Sequence, residues 1–266
     1  MYTSNIFDKC RAGLRPLLGL TRLVLEQDCA LCGAASGQAL LCSPCRSELP
    51  ALGARCPRCA MPGNSGAECG RCLRRPPQFH ATHAALRYAF PADRLILSLK
   101  YGARLPVAAL LADLLAGHLA TSRQQAKPSA DIDLVMPMPL HPRRLATRGF
   151  NPAAEIGRRV AGALALPFAR DLALRVRDTP AQADLPLRMR RTNVRGAFAC
   201  RPQLAGRSVA VVDDVMTSGT TLDELARALK GAGARHVECW VVARTWPRDG
   251  SPGWRKGEAH LLHASA

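Results

Sequence analysis

Beyond about residue 80 the apolar positions fall into two rhythms. Short runs at Thr82–Tyr88, Ile132–Met136, Ser208–Val212 and His236–Val242 predict strands. Two of these, at 132–136 and 208–212, are almost wholly apolar, as strands covered on both faces are. Between the runs lie helical patterns: a stripe of Leu95, Ile96 and Leu99 after Pro91, a strongly apolar stretch from Leu105 to Leu119, then Pro152–Ala165 and Thr221–Gly231. Strand, helix and strand joined by short turns at 208–242 specify a right-handed crossover in a parallel sheet, so the fold class is α/β. Thr179–Arg195 is polar, basic and without period, and reads as a mobile loop or hood. Ahead of these elements the pattern predicts one short helix, Arg11–Leu25. After Trp246 the mixed Pro, Gly and charge predict a poorly ordered tail.

Between Cys29 and Cys72 too few apolar residues occur to build a core. Cysteine changes that picture. Of eleven cysteines, eight form four C-x2-C pairs, Cys29/Cys32, Cys42/Cys45, Cys56/Cys59 and Cys69/Cys72, and the second four repeat the first at an offset of 27. Two intervening residues let both sulfurs face one ion from a tight turn, and two such knuckles complete the closed four-thiolate geometry of structural zinc. Gly33, Gly37 and Gly70 supply permissive backbone. The metal then supplies the folding energy that a core would otherwise give. Consecutive ligation, Cys29/Cys32/Cys42/Cys45 and Cys56/Cys59/Cys69/Cys72, is preferred; interleaved ligation, disulfide or redox pairing and an iron–sulfur cluster remain as alternatives. Cys10, Cys200 and Cys239 stand alone. Pro76-Pro77 is a stiff connector closing this module. The expected partition is a helical segment at 1–28, a double ribbon at 29–75, an α/β domain at 76–246 and a tail at 247–266.

The formal net charge is +17, carried mostly by arginine. Such a field draws polyanions: nucleic acid, phosphorylated metabolites or an acidic membrane surface. Compositional bias explains arginine over lysine, but not the excess over acids. Aromatics are scarce, so nucleic-acid contact is expected at the backbone rather than by base stacking. No window approaches the roughly 18 uninterrupted apolar residues of a membrane span. The run Leu17–Leu20 is flanked by Arg15 and Arg22 with no small-residue cleavage site after it, so a cytoplasmic location is expected.

The candidate chemistry sits in Val209-Ala-Val-Val-Asp213-Asp214-Val-Met-Thr217-Ser218-Gly219-Thr220-Thr221. An apolar strand ends in two acids, where ligands bind in open α/β sheets. A hydroxyl- and glycine-rich loop then runs straight into a helix, presenting N–H groups and the helix N-terminus to an anion. Thr217, Ser218, Thr220 and Thr221 add hydroxyl donors, and Gly219 lets the backbone close on a phosphate. Asp213 and Asp214 repel a phosphate but suit the 2- and 3-hydroxyls of a ribose one unit away, and a Mg2+ held there. The arrangement reads as a clamp for a 5-phosphoribosyl group; the bland alternative is a strand followed by a capped turn. Neither a G-x4-G-K-[ST] loop nor a G-x-G-x-x-G after a strand is present.

VVDDVMTSGTTLDE resembles the phosphoribosyl diphosphate (PRPP) motif of type I phosphoribosyltransferases. MPMPLHPRRLATRGFNPAAEIG at 136–157, Thr179-Pro-Ala-Gln182, Arg190-Arg191-Thr-Asn193-Val194 and Gly196-Ala-Phe198, together with the four knuckles, resemble the ComF/GntX family of competence-associated proteins. The resemblance runs from about Cys29 to Ala243. It implies a type I phosphoribosyltransferase-like parallel sheet flanked by helices, preceded by a small double zinc-ribbon module. It also implies PRPP with Mg2+ as ligand, single-stranded DNA as partner, and DNA-uptake or recombination proteins nearby. Two positions depart from the family pattern: Pro152 where glutamine follows R-G-F-N, and Ser218 where a second threonine stands.

Further candidates are cationic. Lys100-Tyr101, placed by the resemblance near the diphosphate, follows the Leu95–Leu99 stripe, and an exposed helix-end lysine is its alternative. Arg143, Arg144 and Arg148 flank a strand end; Arg188, Arg190, Arg191 and Arg195 lie in the hood. His141 reads as a turn residue. No base-specific pocket and no catalytic residue is evident. Three functions fit: competence-type handling of single-stranded DNA with a retained PRPP site, a phosphoribosyltransferase moving the group of PRPP to a nitrogen nucleophile, and a PRPP-responsive regulator without turnover.

Overall fold

The computed structural model describes residues 27–63, 66–125, 131–179, 190–201 and 204–246. The expected Arg11–Leu25 helix, the tail, Cys10 and hood residues 180–189 lie outside the described residues. The chain divides into two compact units, Met1–Leu49 and Pro50–Ala266.

In the N-terminal unit a turn carries Cys29 and Cys32. The Cys29 N–H donates to the Ala34 carbonyl at 2.7 Å, the Gly33 N–H returns to the Cys29 carbonyl, and Asp28 bridges Ala35. Helix α1, Ser43–Ser47, starts directly after Cys42, with proline at the start, where no N–H is missed.

The larger unit opens on the same structure 27 residues later. The Cys56 N–H donates to Met61 at 2.8 Å, Arg55 bridges Pro62, and α2, Gly70–Arg74, starts after Cys69. Then follow β1 (Ala81–Arg87), α3 (Ala92–Gly102), α4 (Leu105–Gln125), β2 (Leu134–Pro137), α5 (Pro142–Arg148), α6 (Pro152–Ala163), β3 (Ala173–Arg175), α7 (Arg190–Val194), β4 (Phe198–Cys200), β5 (Ser208–Met216), α8 (Thr220–Gly231) and β6 (His236–Arg244). The main sheet is wholly parallel, in the order β1-β6-β5-β2, and β3 pairs with β4 as a small antiparallel ribbon.

Every residue of β6 is buried, as expected for a central strand covered on both faces. Helices α4 and α6 pack together on one face, and α8 covers the other with Leu222, Leu225 and Leu229. Gly157 lets α6 lie close to the sheet: a Cβ there would stand 3.1 Å from Phe168 and 3.3 Å from Val212. Within Leu105–Gln125, the stretch Leu105–Ser122 is long and apolar enough to cross a membrane. Its Val107, Leu111, Leu115 and Leu119 are nonetheless buried, and the helix packs on β1, β6 and α6. The stretch expected as a loop without period contains α7, a single helical turn and a half packed on α8.

Candidate functional site

Each knuckle pair gathers its four sulfurs. The ligand atoms of Cys29, Cys32, Cys42 and Cys45 lie within 4.8 Å of one another, and so do those of Cys56, Cys59, Cys69 and Cys72. A tetrahedral ion with metal–sulfur bonds of about 2.3 Å sets its sulfurs roughly 3.8 Å apart. Cys32–Cys42 and Cys59–Cys69 stand at 3.7 Å. The sets are consecutive, as preferred from the sequence. One thiol in each is drawn toward the thiolate. Cys59 is lowered to about 5, chiefly by the Cys72 thiol, and Cys29 to about 6, where backbone N–H groups outweigh the opposing effect of burial. The donor set fits structural zinc.

The loop Thr217–Gly219, with Thr220 and Thr221 opening α8, lies at the carboxyl end of the sheet. Strand β2 ends at Pro137, opposite Val212 in β5, so Asp213 and Asp214 run past the end of their neighbour and border the crevice thus opened. The two acids differ. Asp214 is buried and pairs with Lys100 at 2.8 Å. Lys100 is held above its ordinary value: burial pulls it down, but the Asp214 carboxylate outweighs that. Asp213 accepts the Asp214 N–H at 2.9 Å, and its carboxyl is pushed up to about 7, first by desolvation and then by the Asp214 charge.

Gly219 caps α8 at φ 78°, a left-handed conformation, and a Cβ there would stand 2.5 Å from the Met216 methyl. The left-handed backbone is what favours glycine here, since the Met216 methyl ends a flexible side chain and could move aside. The loop shows two faces. Thr217, Gly219 and Thr221 line the crevice with Asp213 and Asp214. Ser218 and Thr220, whose hydroxyls bond each other at 2.8 Å, line a second cleft, which Gly219 also borders.

The crevice rim is cationic. Lys100, Tyr101, Arg144 and Arg148 all line it, and the Arg148 guanidinium lies 5.5 Å from the centre of the Tyr101 ring. Arg143 turns instead to Asp178, at 3.2 Å. Arg190 and Arg191 open α7; their side chains lie outside the described residues, as does Arg188. His141 caps α5 by accepting the Arg143 N–H. Pro152 opens α6 behind Asn151, whose side chain accepts the Ala153 N–H and donates to the Met138 carbonyl at 2.9 Å. Proline at that place costs no helical bond, which accounts for its presence there.

Two buried arginines beside the loop and the crevice were missed from the sequence. Arg175 of β3 lines the crevice yet is only 7% exposed. It donates to the Thr179 hydroxyl and lies 5.8 Å from the Phe198 ring centre, and its Nε has no hydrogen-bond partner among the described residues. Arg244, 1% exposed at the end of β6, donates from Nε to the Cys59 carbonyl at 2.9 Å. Its Nη1 donates to the carbonyls of Met216, Thr217 and Thr245. Burial lowers it to about 10 against the charge of the nearby cysteines. Four thiolates around one divalent ion would carry net negative charge, so an ion in the second knuckle would supply a countercharge to the guanidinium that binds the Met216 and Thr217 carbonyls. A lone arginine in an arginine-rich chain carries no sequence signal for either role.

A profile of the double zinc ribbon domain matches residues 20–73, and one of the phosphoribosyl transferase domain matches residues 146–256. The chain is 32% identical over 206 residues to the DNA utilization protein YhgH of Escherichia coli (strain K12), covering 77% of this chain and 90% of that protein. It is 30% identical over 217 residues to Competence protein F of Haemophilus influenzae, with the same coverage. Among solved structures it is similar to the allosteric regulatory enzyme of purine biosynthesis (TM-score 0.34, 20% identity, 51% of this chain and 26% of that one). It is also similar to a purine phosphoribosyltransferase from Pyrococcus horikoshii (TM-score 0.32, 18% identity, 55% and 95%). With both domains matched in order and at least 30% identity across 90% of these relatives, the chain belongs to the ComF/GntX family, a double zinc ribbon joined to a phosphoribosyltransferase domain.

Proposed function

We propose that the protein binds PRPP, or a related 5-phosphoribosyl ligand, in the crevice at the end of β5 and handles single-stranded DNA in the cytoplasm during DNA uptake or use. The observation that carries the first half is the meeting of unlike groups in one crevice: carboxyls Asp213 and Asp214 beside the N-terminus of α8, with a rim of Lys100, Arg144, Arg148 and Arg175. The backbone N–H groups and hydroxyls at Thr217, Gly219 and Thr221 suit a 5-phosphate. Asp213 suits the ribose diol and a Mg2+ that enters with the ligand. The arginines suit a diphosphate, and the unpartnered Nε of Arg175 gives a buried cation reason to await an anion.

The DNA half rests on the net charge of +17 and on the names of the relatives, a DNA utilization protein and a competence protein. Binding to labelled oligothymidine across a salt series tests it: affinity is expected to fall steeply with salt, as counterions return to the strand. A salt-independent affinity defeats it.

One observation favours a second reading, transfer of the phosphoribosyl group to a nitrogen nucleophile. Asp213, near 7, is able to hold or release a proton beside the crevice at neutral pH. Diphosphate release from PRPP with any of a panel of nitrogen bases would establish turnover.

A further inference from the structure

The second cleft, on the other side of the phosphate loop, has no part in the PRPP reading. Its volume is about 620 Å³, and its walls are α2 and the Pro76-Pro77 connector on one side and Ser218–Thr220 on the other. Three guanidinium groups, Arg71, Arg74 and Arg75, line it, and all three residues are exposed. Among the described residues no carboxylate lies within ion-pair distance of any of them. The one acid in the lining, Asp223, is already engaged by the Gln78 N–H at 2.6 Å. Arg71 and Arg74 stand one turn apart on α2 and Arg75 caps it; the Cys59 and Cys72 sulfurs that also line the cleft answer part of this charge, and no carboxylate pairs with it, so exposed guanidinium groups are left to meet an anion.

The frame is built rather than loose. Helix α2 starts just after Cys69 and contains Cys72, two members of the second four-sulfur group, so an ion bound there would fix its position. Arg71 reaches across to the loop and donates to the Ser218 carbonyl at 3.2 Å. The hydroxyls of Ser218 and Thr220 stand on the facing wall as neutral donors. Phe79 and Met216 form an apolar floor.

We propose that this cleft is the site at which a single strand of DNA is held, with Arg71, Arg74 and Arg75 pairing its phosphodiester groups. The proposal rests on the DNA-handling reading above. A free phosphate would leave most of the cleft and at least one guanidinium unused, whereas a strand presents successive phosphates along its length. Fixed guanidinium forks suit phosphate oxygens. No exposed aromatic ring lines the cleft, so the contact is to backbone and tolerant of sequence. Met216 and Gly219 border both clefts, so one loop forms a wall of each site. Coupling between strand and PRPP through this shared wall is part of the proposal, and by linkage it acts on both affinities by the same factor.

The test uses the full, zinc-loaded chain and fluorescent oligothymidine over a salt series. The triple variant R71A/R74A/R75A is compared with R94A/R159A/R170A, which removes three exposed arginines elsewhere. R74A/R75A alone leaves the Arg71 contact to the loop intact, and zinc content and circular dichroism report folding of each. Losing three phosphate contacts should flatten the slope of log affinity against log salt by about 2, and weaken binding at least about tenfold at low salt. The control should match the wild type, and R74A/R75A should fall between. Oligothymidine should shift PRPP affinity in the wild type and not in the triple variant. Should the triple variant and the control lose affinity equally, or neither lose any, the cleft is not the DNA site, although the protein still binds DNA. Should the wild type fail to bind oligothymidine at any salt, the DNA-handling reading falls and this assignment with it.

Discussion

The two tetracysteine knuckles share one backbone plan and differ in what the surrounding chain makes of it. Both close on a cysteine N–H to a carbonyl five residues on, and both place a five-residue helix after the third cysteine. The first belongs to the unit Met1–Leu49, with Cys32 exposed and Cys42 and Cys45 half-buried. In the second, Cys56, Cys59 and Cys72 are buried, and its carbonyls serve the α/β domain: Pro57 and Arg58 accept from Thr82 of β1, and Cys59 accepts from Arg244. One position shows the divergence at the level of a single atom. Gly33, at φ 74°, corresponds to Ala60, at φ 53°, whose added methyl is fully buried in the α/β core. A repeat whose sequence announces only a metal site has thus become, in its second copy, part of the frame of the loop that follows β5.

The largest effects should come from breaking one knuckle at a time. C59S/C72S removes the metal and the countercharge of Arg244 together. Zinc in such sites contributes on the order of 10 kcal/mol, comparable with the whole stability of a domain. We expect this variant to lose one zinc, its cooperative thermal transition and PRPP binding. C32S/C45S should also lose one zinc but keep the main transition and PRPP affinity. Equal damage from the two pairs, measured by zinc content and calorimetry, would erase the contrast.

Next in size is R244M, which removes a donor from four carbonyl groups, of which those of Met216 and Thr217 keep Thr245 as a second donor. It should destabilise by about 2–4 kcal/mol and weaken PRPP at least tenfold, with the zinc content of the second knuckle unchanged at low temperature. Wild-type PRPP affinity in R244M would mean that the guanidinium braces the core and not the loop.

A smaller effect concerns pH. Asp213, near 7 in the fold, holds a proton between about pH 4 and 7 that the unfolded chain has released. Its contribution to stability is therefore present at low pH and lost as pH rises toward 7. On the proposed reading PRPP with Mg2+ needs the carboxylate, so affinity should rise from pH 6 to 8. D213N should lower affinity and flatten that rise; titrations at three pH values decide it.

The smallest effects should appear at the paired positions 33 and 60. G33A forces a side chain into the left-handed region and should cost about 1 kcal/mol. A60G relieves that strain but removes a buried methyl, and should stay within about 1 kcal/mol of the wild type. Chemical denaturation followed at each unit distinguishes them.

Much of this was legible in the sequence because the signals were local. The offset of 27 between cysteine sets, the apolar run before Asp213 and the glycine among hydroxyls each lie within a few residues, and the structure brings those residues together. What escaped was long-range or too short to have a period. Arg175 and Arg244 acquire their roles from partners far away in the chain, and α7 is five residues long. Lys100 looked like a charge aimed at a ligand, yet within the protein it pairs with Asp214, a contact only the fold could reveal. Likewise the alternation of loop residues between two clefts follows from the turn at Gly219, not from the hydroxyl-rich composition.

The most direct test of the crevice assignment is calorimetric titration of PRPP with Mg2+ into the wild type and into D213N/D214N, alongside T217A/T221A in case the acids are needed for folding. The account predicts saturable one-site binding to the wild type, a loss of at least about a hundredfold in the double asparagine variant, and about tenfold for the two lost hydroxyls. Undiminished binding in both variants, or none in the wild type, would contradict it.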